Sequence, residues 1–266
     1  MPYIRVGFVV AGAQKAGTTA LDAYLRSHPD ISMASQKEVH FFDNDDAFSA
    51  GQPLFDDYHK FFNAEDYRAG KLLGEATPSY IFLHRVAARI WQYNRNMKFI
   101  VILRNPIERA FSHWNMEHSR GAESLSFFDA MTHESMRGGS ALENQHLVYS
   151  YVARGFYSSQ LQRLWNVFPK QQVLALKYDD LCNQPVQFLN RICEFLNVSP
   201  LTSVPDVRAN VIAYDSEMSE QEWCYLQHLF QPETRRLERM LGWDCRDWLA
   251  RPTGRRYVVR ACCKGE

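Results

Sequence analysis

What this chain lacks narrows its identity first. It has no excess charge of either sign, since 30 Lys and Arg balance 30 Asp and Glu. A protein that grips nucleic acid or a long polyanion through its whole surface is usually basic. Nucleic acid is therefore not an expected partner, and a polyanion would need a local patch such as Arg251-Pro252-Thr253-Gly254-Arg255-Arg256. No apolar run approaches the ~18 residues that cross a bilayer. No charged amino-terminal region precedes an apolar segment with a cleavage site; Ile4 to Ala11 reads instead as a first core strand. The expected location is cytoplasmic, the expected source bacterial, and no membrane partner is expected. The six cysteines, Cys182, Cys193, Cys224, Cys245, Cys262 and Cys263, match no zinc or C-x-x-C spacing, which predicts reduced thiols and no metal site. No repeat or low-complexity linker divides the sequence. Residues 1–266 are thus expected to form one domain, with 251–266 a basic tail.

What is present begins at Val9-Val10-Ala11-Gly12-Ala13-Gln14-Lys15-Ala16-Gly17-Thr18-Thr19-Ala20-Leu21. An apolar strand runs through a turn of small residues into a helix start. Gly12, Ala13, Ala16 and Gly17 let consecutive N–H groups point into one concavity, and the helix adds the positive end of its dipole. Such a loop suits a phosphate-like group, with Lys15 as a mobile cation at its mouth. The comparison is the nucleoside-triphosphate loop G-x-x-x-x-G-K-[ST], from which the chain departs at one place. Thr18 stands where that loop has its lysine, and the only lysine lies three residues before it. An anion without a γ-phosphate or an obligatory magnesium ion is indicated.

Lys98-Phe99-Ile100-Val101-Ile102-Leu103 has the look of a buried parallel strand and runs into Arg104-Asn105-Pro106-Ile107-Glu108-Arg109-Ala110-Phe111-Ser112. Asn105 suits an N-cap and Pro106 a first helical turn, which places Arg104 at the carboxyl end of the strand. Ligands of open α/β sheets bind at that edge, so Arg104 and the Lys15 loop are expected to serve one crevice. An arginine fork with the Ser112 hydroxyl is a receptor for a second phosphate.

Two phosphate-type sites without γ-phosphate chemistry fit 3′-phosphoadenosine 5′-phosphosulfate, PAPS. The chain resembles the PAPS-dependent sulfotransferases, nearest in pattern to the branch that includes the heparan sulfate enzymes. Four segments carry the resemblance: Gln14 to Leu21, Lys37-Glu38-Val39-His40-Phe41-Phe42-Asp43, Gly74-Glu75-Ala76-Thr77-Pro78-Ser79-Tyr80, and Arg104 to Ser112. Weaker similarity continues to Leu237-Glu238-Arg239-Met240-Leu241-Gly242-Trp243. The resemblance implies that Lys15, Ala16, Gly17, Thr18 and Thr19 hold the 5′-phosphosulfate, that Arg104 and Ser112 hold the 3′-phosphate, and that the product is 3′,5′-ADP. It also implies that Glu38 is the catalytic base and that no metal takes part. In-line sulfuryl transfer needs an acceptor relieved of its proton, which a carboxylate can take, and Lys15 is placed to stabilise charge on the leaving oxygen. His40 would share a face with Glu38 if the segment were extended; it either orients Glu38 or the acceptor, or packs as an interior histidine. Ala76 stands where many heparan-type members have a lysine, and their Lys-Gly-Arg loop has no equivalent between Leu201 and Gln221, where Arg208 is the substitute candidate. The acceptor first expected is a carbohydrate hydroxyl, with lipid, hydroxyacyl and small alcohols open, and an amine less favoured.

Apolar stretches alternating with helical patterns predict a P-loop-like, three-layer α/β/α fold around a central, mostly parallel sheet. Strands are expected at 4–11, 71–75, 98–103 and 172–177, with an extended piece at 38–42. Helices are expected at 18–27, 83–94, 106–119, 156–167, 185–196 and 219–241. Residues 121–150 read equally as a lid or as a surface insertion. The aromatic pairs Phe41-Phe42, Phe61-Phe62 and Phe127-Phe128 read as core, and His113 and His118 as structural. Two other functions stay open at this stage. One is a phosphotransferase, disfavoured because no lysine follows Gly17; the other is a nucleotide-binding regulator without chemistry.

Overall fold

The computed structural model describes residues 4–49, 51, 53–137, 145–203 and 217–250. Arg208 and the tail 251–266 lie outside these residues. In chain order the strands are β1 (Phe8–Gly12), β2 (Ile31–Met33), β3 (Leu72–Ala76), β4 (Lys98–Leu103) and β5 (Val173–Lys177). The helices are α1 (Thr18–Arg26), α2 (Asp46–Ser49), α3 (Phe55–His59), α4 (Ala64–Arg68), α5 (Val86–Tyr93), α6 (Pro106–Ser119), α7 (Phe127–Thr132), α8 (Glu134–Arg137), α9 (Tyr157–Trp165), α10 (Tyr178–Asn183), α11 (Pro185–Leu196) and α12 (Glu220–Leu241).

β1 is buried along its whole length and β4 along all but Lys98. Such near-continuous apolar strands belong to a parallel sheet covered on both faces. The five strands are ordered β2-β3-β1-β4-β5, and β1 runs parallel to both β3 and β4, as β2 does to β3. The fold is the α/β, P-loop-like one expected. β2, three residues long, was too short for periodicity to show.

The chain forms two compact units, one of residues 4–102 and 163–203, the other of 103–162 and 217–250. In the first, α1 packs across β1, β2 and β3, and α10 and α11 pack on β5. Phe41 and Phe42 are buried among the rings of Phe48, Tyr58, Tyr80 and Tyr93, and burying one such ring stabilises by about 1.5–3 kcal/mol. In the second, Ile107, Phe111 and Trp114 of α6 share a core with Phe127 and Met131 of α7, with Tyr151, and with Trp223 and Phe230 of α12. α7 therefore belongs to this core and is not a surface insertion. His113 is wholly buried against Tyr151, with ring centroids 4.9 Å apart.

Local signals account for the helix ends. Asn105 caps α6 by accepting from the Ile107 N–H at 3.0 Å, with Pro106 in the first turn. α12 opens with a Ser219/Glu222 capping box and closes on Gly242 at φ 69. The segment 38–42 is not the extended piece expected. Glu38 and His40 take φ values of 61 and 54, so β alternation does not orient them. Cys193, Cys224 and Cys245 are free thiols, but Cys182 is disulfide-bonded. The reduced state expected fails there, because spacing along a chain does not show which Cβ atoms meet.

Candidate functional site

The loop after β1 is set by the sheet. The register of β1 on β4 shifts between Val10 and Gly12, and such an irregularity re-aims the chain that leaves it. The Ala13 N–H donates to the Ile102 carbonyl at 2.7 Å. Lys15 then takes φ 70 and Gly17 φ 86. Only glycine adopts the second freely, and a Cβ there would meet Cε2 of Tyr178 at 2.8 Å. Gly17 is the N-cap of α1 and has no side chain to cap it. With no N-cap side chain to accept from them, the N–H groups of the first turn suit an anion. Thr18 is buried in that turn, and Thr19 follows it in α1.

The segment 37–43 is tied to the end of β3. The Glu38 N–H donates to the Ala76 carbonyl at 2.9 Å, while Thr77 N–H reaches the Val10 carbonyl at 3.1 Å and Ile81 N–H the Ala11 carbonyl at 3.0 Å. Adjacent parallel strands β1 and β3 thus bring the Lys15 loop and the Glu38 segment to one sheet edge. Lys15, Glu38 and His40 are three of the four non-glycine residues with positive φ among the described residues. Such conformations cost energy and persist where surrounding structure imposes them, commonly at functional sites.

The side chains form a row. Lys37 Nζ pairs with Glu38 Oε1. His40 Nε2 lies 3.6 Å from Glu38 Oε2, and its Nδ1 lies 2.8 Å from Asp43 Oδ2. The Ser79 hydroxyl donates to the same Asp43 oxygen at 2.7 Å. The Asp43 side chain is 4% exposed, whereas Glu38 and His40 are 39% and 47% exposed. The row therefore runs from a buried anchor to a solvent-facing carboxylate. Asp43 first, then Glu38, raises the His40 imidazole to about 10. His40 first, then Lys37, holds the Glu38 carboxyl near 2 against the effect of burial. At neutral pH this is a carboxylate braced by two cations. The sequence reading missed Asp43 and Ser79 as part of the row; the only signal for Asp43 was its place three residues after His40.

Arg104 follows the last residue of β4, in the second unit. It is 6% exposed. Its Nη2 donates to Glu108 Oε2 at 2.8 Å, and its carbonyl accepts from the Tyr157 hydroxyl at 2.9 Å. Ser112 lies one turn beyond Glu108 on α6 and is also buried. Among the described residues no group of three His, Cys, Asp or Glu side chains is arranged to hold a metal ion, and no helix is long and apolar enough to cross a membrane.

Comparison with known proteins converges on one family. The chain is 30% identical to the crystallised sulfotransferase of Alicyclobacillus acidocaldarius, with a TM-score of 0.74 over 92% of this chain and 99% of that one. It is 23% identical to the membrane-associated sulfotransferase kil1 of Dictyostelium discoideum over 89% of this chain and 65% of that protein. It is 27% identical to human heparan sulfate glucosamine 3-O-sulfotransferase 5 over 73% and 54% respectively. The chain thus spans between about half and two thirds of the length of these two relatives. The sequence model of the sulfotransferase domain matches residues 7–231, and the chain belongs to that family.

Proposed function

We propose that the protein transfers a sulfuryl group from PAPS to an acceptor hydroxyl, leaving 3′,5′-ADP, and that the chain acts as a single catalytic domain. The observation that carries this reading is the row Lys37–Glu38–His40–Asp43, with Glu38 and His40 on left-handed backbone, beside the loop that follows β1. The residues fit the donor chemically: an uncapped helix N-terminus with Lys15 suits the 5′-phosphosulfate, and a buried arginine fork suits a 3′-phosphate.

PAPS supplies the sulfuryl group. Lys15 and the backbone of Ala16, Gly17, Thr18 and Thr19, with the threonine hydroxyls, hold its 5′ end, and Lys15 balances charge on the departing oxygen. Arg104 and Ser112 hold the 3′-phosphate, with Arg208 as a further proposed contact from outside the described residues. Glu38 accepts the acceptor's proton. A carboxylate held near 2 is a weak base toward solvent, but an alcohol bonding to sulfur becomes strongly acidic, and proton affinity belongs to the Glu38–His40 pair together. His40, held by Asp43, orients Glu38. The acceptor proposed first is a carbohydrate hydroxyl, supported by the likeness to an enzyme named for heparan sulfate glucosamine.

Calorimetric titration of the metal-free protein with 3′,5′-ADP, ADP and magnesium-ATP tests the donor. Selective binding of 3′,5′-ADP is expected; preference for magnesium-ATP would replace this reading with phosphotransfer. Transfer of labelled sulfate to a heparan-type oligosaccharide then tests the acceptor class.

A further inference from the structure

Glu75 is wholly buried near the end of β3 and has no part in the scheme above. Three hydroxyls donate to it. Those of Tyr58 and Tyr80 reach Oε1 at 2.8 and 3.2 Å, and that of Thr77 reaches Oε2 at 2.6 Å. The Tyr80 hydroxyl also accepts from the backbone N–H groups of Phe41 and Phe42, at 3.2 and 3.3 Å. Both phenylalanines are buried, and a buried N–H left without a partner is destabilising. The Glu38–Asp43 segment belongs to no strand. It is held by β3 and the residues just after it at three levels: the Ala76 carbonyl on Glu38, the Tyr80 hydroxyl on Phe41 and Phe42, and the Ser79 hydroxyl on Asp43.

We propose that Glu75 and Tyr80 are positioning residues for Glu38 and His40. Glu75 takes the Tyr80 hydroxyl proton in a hydrogen bond, so that the oxygen's lone pairs face the two amides. Those amides lie in the stretch that joins His40 to Asp43. Burial pushes the Glu75 carboxyl up to about 7, and the hydroxyl donors restrain that rise. The functional weight of this arrangement rests on the reading that Glu38 and His40 serve transfer.

The test uses the full chain as wild type, Tyr80→Phe and Glu75→Gln. Amide hydrogen exchange at Phe41 and Phe42 and the imidazole titration of His40 are followed by NMR, with 3′,5′-ADP affinity measured alongside. In Tyr80→Phe, exchange at the two amides is expected to accelerate ~10-fold or more, the scale of one lost hydrogen bond. His40 should then titrate at least about one unit below wild type as its contacts with Asp43 and Glu38 loosen, while 3′,5′-ADP affinity stays within about 2-fold. Unchanged exchange and unchanged His40 titration would overturn the proposal. If Tyr80→Phe does not fold, Glu75→Gln decides by the same two readouts, because it keeps the ring and its hydroxyl and changes only the anchor. These readouts need no acceptor. Failure of wild type to bind 3′,5′-ADP would remove the sulfotransfer reading and leave the judgement on positioning to exchange and titration alone.

Discussion

Nδ1 of His40 lies 2.8 Å from Oδ2 of Asp43, and this fixes the imidazole with its other nitrogen toward Glu38. The ring joins a buried carboxylate to an exposed one. It gives a catalytic reading of Glu38 its physical content, because a carboxylate on a solvent-facing turn would otherwise sample many orientations.

Replacement of the proposed base should separate binding from chemistry. Glu38→Gln is expected to keep 3′,5′-ADP affinity within about 2-fold and to lower turnover ~100-fold or more, the usual scale for a general base. Calorimetry and single-turnover transfer measure the two effects. Full turnover in this variant would remove Glu38 from the mechanism.

Arg104 should read the 3′-phosphate alone. Charge-assisted hydrogen bonds contribute about 1.5–3 kcal/mol, so Arg104→Ala is expected to weaken 3′,5′-ADP by ~10-fold to ~100-fold. Binding of 5′-AMP should be nearly unaffected. Equal losses for both nucleotides would place Arg104 elsewhere.

The pH dependence follows from the two opposed shifts. Glu38 is depressed from 4.5 to about 2, so its contribution to stability is present above pH 4.5 and lost as pH falls through 2. His40 is raised from 6.5 to about 10, so its contribution is full below 6.5 and declines as pH rises through 10. Turnover is expected to be flat across neutral pH and to fall near pH 10 as the imidazolium is lost. Asp43→Asn should move that alkaline limb toward neutrality, since Asp43 is the largest cause of the shift. A limb that stays in place would dissociate Asp43 from His40.

Gly17→Ala tests the loop geometry. Its φ of 86 disfavours any side chain, and the added Cβ meets Tyr178 at 2.8 Å. Stability should drop by about 1–3 kcal/mol, with 3′,5′-ADP binding weakened more than ~10-fold. Chemical denaturation and calorimetry measure these. Wild-type affinity in a destabilised variant would show that the loop does not cradle the ligand.

Much of this protein was legible in the residues themselves. The strand-turn-helix at Val9 to Leu21, the Asn105/Pro106 start of α6 and the buried run of β4 are local, and local chemistry determines them: small residues at tight turns, polar oxygens at helix starts, apolar runs in a covered sheet. The same locality made Lys15, Glu38 and Arg104 stand out. Tertiary structure alone decided how Glu38 and His40 meet. The sequence suggested an extended piece, but left-handed backbone orients both residues, imposed by bonds from Ala76, Ser79 and Tyr80 across 36 to 39 positions of chain. Asp43 as the anchor of His40, and Glu75 as the anchor of Tyr80, became visible for the same reason. Hydrogen bonds between distant segments depend on which strands lie side by side, and the parallel pairing of β1 with β3 is a property of the folded sheet that no stretch of sequence carries.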